Sequence, residues 1–243
     1  MRLRNIPGSR EVIASSPFVI HEDVMREKKG TWHEIFGNNH PIYLEIGMGK
    51  GRFISDLALL HPENNYVGIE KYSSVLLRAI QKREDMENVS NLYFLRMEAE
   101  DLNEVFAENE VAGIYLNFSD PWPKDRHRRR RLESREFLSV YFHVLIPGGK
   151  IEFKTDNDTL FSFALGEAEE SGWPLEAVTW DLHHDDKLNA GNIMTEYEER
   201  FSTRGNKIHK MIITRPAVPK DPLPETSEEN SAEKAAGFAR EKQ

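Results

Sequence analysis

Apolar residues recur along this chain in short β-rich runs separated by stretches with helical spacing. The runs at 42–46, 65–70, 92–97, 112–118 and 150–155 are rich in Ile, Leu, Val, Tyr and Phe, the make-up of buried strands. Between them the pattern predicts helices at about 52–60, 73–84, 101–106 and 134–145, the last stopped by Pro147, Gly148 and Gly149. A short helical stretch at 32–36 ends before Pro41. Past Asp156 a helix reaches about Ser171, and two further runs, 175–182 and 207–214, are expected to pair antiparallel at a sheet edge. Strand and helix alternation of this kind predicts an α/β fold, a mostly parallel seven-stranded sheet with helices on both faces and an antiparallel edge strand. It divides the chain into an amino-terminal extension (1–40), the sheet domain (41–215) and a tail (216–243). The tail has four prolines by Pro224, then an acidic stretch rich in Glu, Ser and Ala, and is expected to be disordered.

The 243 residues allow one sizeable core without crosslinks. Cysteine is absent, which excludes disulfides, thiolate nucleophiles and cysteine-held metals. No apolar run approaches a membrane span, and Met1 to Arg10 is basic without the apolar stretch of a secretory signal. The expectation is a soluble, cytoplasmic protein with no membrane contact. A net charge of −9 argues against a polyanionic partner, but its distribution argues for one. Lys124, Arg126, Arg128, Arg129, Arg130 and Arg131 put six cations into eight residues, and Arg2, Arg4 and Arg10 make the amino terminus positive. An acidic body with a basic rim can grip RNA phosphates.

Two segments carry the candidate chemistry. In the first, the run 42–46 enters Gly47, Met48, Gly49, Lys50 and Gly51 and passes directly into a helix. Glycines there permit tight turning and close approach of backbone to a ligand. The G-x-G-x-G spacing is one residue shorter than the dinucleotide fingerprint, and Glu70 ends the next strand 19 residues after Gly51, where a ribose-binding acid belongs. Glu45 stands ready for an ammonium group, and Glu98, with the backbone of Ala99, for an adenine. Acids at several strand ends suit a cationic sulfonium such as S-adenosylmethionine better than a pyrophosphate.

The second segment, NFSDPWPK from Asn117 to Lys124, ends a strand on Asp120. Pro121 and Pro123 fix the backbone around Trp122, whose ring can stack on a planar base. Asp156, or a T-x-x-E box at Thr195 to Glu198, can equally cap the helix that follows it. His183, His184, Asp185 and Asp186 look metal-like, but adjacent side chains in an extended run diverge, so an exposed loop and no metal are expected.

With GMGKG, Glu70, NFSDPWPK followed by arginines, FKTDN (Phe153 to Asn157) and TEYE (Thr195 to Glu198) in that order, the chain resembles the bacterial tRNA (guanine-N7)-methyltransferase family. The resemblance covers about residues 1–215. It implies a Rossmann-like class I methyltransferase that uses S-adenosylmethionine to methylate N7 of a variable-loop guanosine, conventionally position 46. By the same resemblance Glu45, Gly47, Gly49, Gly51, Glu70, Glu98, Ala99 and Asp120 would hold the cofactor, with Asp120 also catalytic. Lys124, Asp156, Thr195, Glu196, Tyr197 and Glu198 would hold the substrate, and Arg128 to Arg131 the tRNA backbone. A small-molecule methyltransferase would leave the basic run idle, and a non-catalytic RNA binder has no use for a sulfonium pocket. No protein partner is required by either segment; monomer and homodimer are both open.

Overall fold

The computed structural model describes residues 6–219, so the expected tail lies outside the described residues from 220 onward. The sheet has seven strands, β1 (Ile42–Ile46), β2 (Asn65–Ile69), β3 (Leu92–Leu95), β4 (Val111–Asn117), β5 (Leu145–Thr155), β6 (Leu175–Thr179) and β7 (His209–Thr214). Their order is β3-β2-β1-β4-β5-β7-β6. All pairs from β3 to β5 are parallel, whereas β7 runs antiparallel to both of its neighbours. The antiparallel strand therefore lies one place in from the edge, which β6 occupies. The order reverses between β1 and β4, and ligands of open α/β sheets bind outside the strand ends at such a point.

Helices cover both faces. On one, α1 (Ser9–Ser15), α4 (Arg52–Leu60) and α5 (Ser73–Glu84) pack Ile13, Phe53, Ile54, Leu57 and Ile80 onto Tyr66 and Phe94. On the other, α2 (Glu22–Glu27), α3 (Trp32–Phe36), α6 (Leu102–Val105), α7 (Arg135–Val144) and α8 (Asp158–Glu170) bury the larger core. A ninth helix, α9 (Glu196–Ser202), follows a long loop after β6. The segment before β1 belongs to this packing. Trp32 is fully buried, stacks on Phe106 at 4.9 Å and donates its indole N–H to Val105 O at 3.0 Å. Val19 bridges Phe94 of β3.

Two local expectations change. The helix expected at 101–106 is a 3₁₀ turn, Ala99–Asp101, followed by the single turn of α6, because Leu102, Val105 and Phe106 all turn into the core and Phe106 takes up extended backbone. β5 begins at Leu145, with no gap after α7, and its pairing with β4 slips between Val111 and Gly113. The Pro147-Gly148-Gly149 stretch forms this bulge; a Cβ at Gly149 would lie 2.9 Å from Ile146 O.

Candidate active site

The loop after β1 turns through three left-handed glycines, Gly47 (φ 72°), Gly49 (φ 60°) and Gly51 (φ 73°). Each has a different surrounding. A Cβ on Gly51 would press on Ala79 of α5 at 3.0 Å, while one on Gly49 would meet only open space. Gly51 thus lets α4 start against α5, and Gly49 leaves the mouth of the loop free. Glu70, just past β2, is buried and braces the loop, accepting from Gly49 N–H at 3.2 Å and Tyr72 N–H at 2.9 Å. Burial raises its pKa and those amides pull it back. Glu98 is exposed beside it, paired with Lys71 at 3.3 Å, and Ala99 starts the 3₁₀ turn. A concavity of about 440 Å³ lies at the other end of the strands, around Pro41, Gly113 and Gly148, and touches none of these acids.

Glu45 is the least solvated acid of the group, 1% exposed. Its Oε1 accepts from Asn117 Nδ2 at 2.9 Å, and its Oε2 is buried with no hydrogen-bond partner. The Ile54 amide at the start of α4 faces it and favours the charged form without completing a bond to Oε2. Burial nevertheless pushes the carboxyl up to about 8. A buried carboxylate oxygen without a partner, beside a glycine loop, is a feature that requires an explanation.

On the same sheet face as Glu45, Lys154 of β5 is buried and donates to Glu198 Oε2 at 2.6 Å, Ile193 O at 2.8 Å and Asn192 Oδ1 at 3.1 Å. Burial lowers its pKa, partly offset by Glu198. Glu198 is fully buried; its Oε1 takes Asn192 Nδ2 at 2.8 Å and faces His183 Nε2 at 3.2 Å. Its carboxylate is therefore paired inside the fold on both oxygens. His183 corrects the expectation of one exposed loop. It turns inward to Glu198, whereas His184 pairs with Asp181 and Asp185 accepts from two local amides, so the four residues are not one loop cluster. Among the described residues no group of His and acidic side chains is placed to hold a metal.

The NFSDPWPK segment leaves β4 through Phe118 (φ 54°) and passes Trp122 (φ 40°), both left-handed though neither is glycine. Asp120 between them is exposed. Trp122 meets His127 edge-on at 5.6 Å, and the Arg130 guanidinium lies 5.2 Å from its ring, so part of its stacking surface is already used. The arginine run is a 3₁₀ helix, Asp125–Arg130, none of whose residues is buried. Lys124, Arg128, Arg129 and Arg130 are exposed, Arg129 in an ion pair with Glu136 at 3.0 Å. Arg131 does not share this surface. It is 6% exposed and donates to Pro121 O and Trp122 O, both at 3.0 Å.

α9 lies across the glycine loop. Glu196 pairs with Lys50 at 3.1 Å and Lys82 at 3.0 Å, and Glu199 pairs with Arg52. Thr195 caps the helix, accepting from Glu198 N–H at 2.9 Å, while Glu198 turns to Lys154 instead of returning the bond. Tyr197 is exposed, stacked on Phe201 at 4.1 Å and 4.8 Å from Phe118, and its hydroxyl faces Asp156 at 3.5 Å. Asp156 also accepts from Asn206 Nδ2 at 2.9 Å. The capping role falls to Asn157, whose Oδ1 takes Leu160 N–H at 2.8 Å.

The family described as "Putative methyltransferase" matches residues 39–211. A tRNA (guanine-N(7)-)-methyltransferase of Lachnoclostridium phytofermentans is 60% identical over 215 residues, 88% of this chain and 99% of that protein. The chain belongs to the bacterial tRNA (guanine-N7)-methyltransferase family. Among solved structures, an antibiotic-related methyltransferase aligns with TM-score 0.56 and 21% identity, covering 76% of this chain and 92% of its own. A mutant of the 16S rRNA (adenine(1408)-N(1))-methyltransferase with cosubstrate SAM, from Catenulisporales acidiphilia, aligns with TM-score 0.52 and 16% identity over 79% and 93%. Both share the Rossmann-like class I methyltransferase fold.

In this methyltransferase the residues whose part in the site sequence reasoning missed are Asn117, Lys154 and Asn192. Lys154 had little local signal, because Lys150 and Glu152 alternate with Ile151 and Phe153 in the same strand. The others depend on which distant elements meet.

Proposed function

We propose that this chain transfers the methyl group of S-adenosylmethionine to N7 of a guanosine in the tRNA variable loop, conventionally position 46. The observation that carries the cofactor reading is Glu45 Oε2, a buried carboxylate oxygen without a partner, beside a glycine loop whose mouth is open at Gly49. An α-amino group would satisfy it and restore the charged carboxylate. Glu70 would meet ribose hydroxyls with the lone pairs left over from Gly49 and Tyr72, and Glu98 with Ala99 would border the adenine. S-adenosylmethionine supplies an electrophilic methyl on a positively charged sulfur.

The chain's task is then orientation. Guanine N7 has a lone pair and no proton, so no general base is needed; alignment of the two atoms supplies most of the acceleration. Asp120 is an orienter whose carboxylate stabilises positive charge as it moves to the imidazole ring of the base. Lys124, Asp156, Thr195 and Tyr197 border the substrate, Glu196 joins α9 to the glycine loop, and Arg128 to Arg130 reach tRNA phosphates. The names carried by the family's relatives and the exposed cations of the 3₁₀ helix support tRNA as the partner. The test is transfer of labelled methyl from S-adenosylmethionine to unmodified tRNA, followed by nucleoside analysis and site mapping. 7-Methylguanosine in the variable loop is expected; label in another nucleoside would overturn the substrate assignment.

A further inference from the structure

The strained loop that presents Asp120 has its own clamp. Phe118 and Trp122 are bulky side chains in left-handed backbone, a conformation that persists only where surrounding contacts over-determine it. Several of those contacts come from one short stretch. Arg131 donates from Nε to Pro121 O and from Nη2 to Trp122 O, each at 3.0 Å, and its guanidinium lies 4.3 Å from the centre of the Phe163 ring of α8. Two residues on, Glu133 is 2% exposed and accepts a hydrogen bond from Ser119 Oγ, the residue before Asp120. Asp120 is thus bracketed, with Ser119 held on one side and the two following carbonyls on the other.

The clamp is anchored to the scaffold. Arg131 accepts from Ser134 N–H at 3.0 Å at the entry to α7, and Arg135 grips Glu167 of α8 through its amide at 2.7 Å and its guanidinium at 2.9 and 3.0 Å. Phe118 N–H ties the loop's other end to Lys154 O of β5 at 2.8 Å. Among the cations of the basic run, only Arg131 is buried. A planar fork that spans two successive carbonyls is a geometry guanidinium makes and ammonium does not.

We propose that Arg131 and Glu133 are positioning residues that hold the Ser119–Trp122 turn in the geometry in which Asp120 works, and that Arg131 is not a phosphate ligand. This rests on the role proposed above for Asp120, so the experiment includes a readout independent of catalysis. Arg131→Lys, Arg131→Ala, Ser119→Ala, Glu133→Gln and Arg128→Ala are compared for kcat, tRNA Kd at several salt concentrations, and backbone amide exchange in residues 115–122. Arg131→Lys keeps the charge and loses the fork. Its expected result is at least tenfold lower kcat, tRNA Kd within about twofold, an unchanged salt slope, and faster exchange at Phe118 to Trp122. Ser119→Ala, the milder variant should Arg131 substitutions unfold the chain, is expected to do the same to a smaller extent. Glu133→Gln keeps the acceptor and retains most activity. Arg128→Ala is expected to do the reverse of Arg131→Lys, weakening tRNA binding and flattening the salt slope at unchanged exchange. If Arg131→Lys follows the Arg128→Ala pattern, Arg131 is a phosphate ligand and the proposal falls. Faster exchange with kcat intact would remove the positioning role. Faster exchange in a protein whose wild type methylates no tRNA would leave the clamp standing and overturn the function assigned above.

Discussion

At the scale of single residues, Glu45 carries a conflict between stability and binding. Burial raises its pKa to about 8 from an ordinary 4.5, so the free enzyme binds more protons folded than unfolded between those values. Its contribution to stability is then whole below about pH 4.5 and lost as pH rises toward 8. Glu45→Gln removes the penalty. The variant's melting temperature without ligand is expected to match wild type at pH 5 and exceed it at pH 8.5, a gap read from thermal melts across pH. Cofactor affinity should move the other way, falling about ten- to a hundredfold, the ~1.5–3 kcal/mol of a charged hydrogen bond. Equal affinity in the two proteins would sink the ammonium assignment. Asp120 is exposed. Asp120→Ala is expected to leave the melting temperature within about 1 °C and to lower kcat about a hundredfold or more, on the scale of losing one preorganised charge contact; near-normal methylation would remove it from the mechanism.

Among elements, α9 joins the two halves of the site. Its buried Glu198 meets Lys154 of β5, and its half-buried Glu196 and exposed Glu199 meet the glycine loop, α5 and α4. The surface pairs are individually weak, each worth well under about 1 kcal/mol, so the buried pair is what fixes the helix. Removing one partner strands the other charge inside. Lys154→Met or Glu198→Leu alone is expected to cost about 3–5 kcal/mol, and the double variant clearly less than the sum. Urea midpoints give the cycle; simple additivity would show that the two charges do not interact. Legibility in the sequence follows the range of the forces involved. β1, α3, α4 and α5 stand where local periodicity put them, because one amphipathic stripe decides each. The bulge in β5 and the collapse of 101–106 to a single turn do not, since both respond to packing against strands far along the chain. The acids at the strand ends were legible for the same local reason, as terminations of apolar runs. Which arginine of four consecutive ones turns inward was not, because Arg131 is selected by Pro121, Trp122 and Phe163, none of which its own neighbours reveal.

For the whole molecule, the question is how a chain of net charge −9 holds a polyanion. Long-range attraction cannot come from the sum; under the proposed function it comes from the exposed cations of the 3₁₀ helix and Lys124 working within a Debye length of the phosphates. With Arg131 turned inward, Lys124, Arg126, Arg128, Arg129 and Arg130 remain on this rim, and Arg129 is shared with Glu136. Each phosphate contact releases counterions, so log Kd for tRNA should rise with log salt at a slope of roughly 0.7–0.9 per contact. Four or five contacts predict a total slope of about 3 to 4.5. Arg128→Ala should lower that slope by about one while cofactor affinity stays unchanged, because the run lies beyond Asp120 and touches neither Glu45 nor Glu70. Isothermal titration at four or five salt concentrations measures both constants. A wild-type slope near zero would mean that the basic rim does not face the tRNA and that recognition runs through α9 and the Asp120 turn alone. An equal fall in cofactor and tRNA affinity for Arg128→Ala would mean that the two sites are not separable and would overturn the proposed division between them.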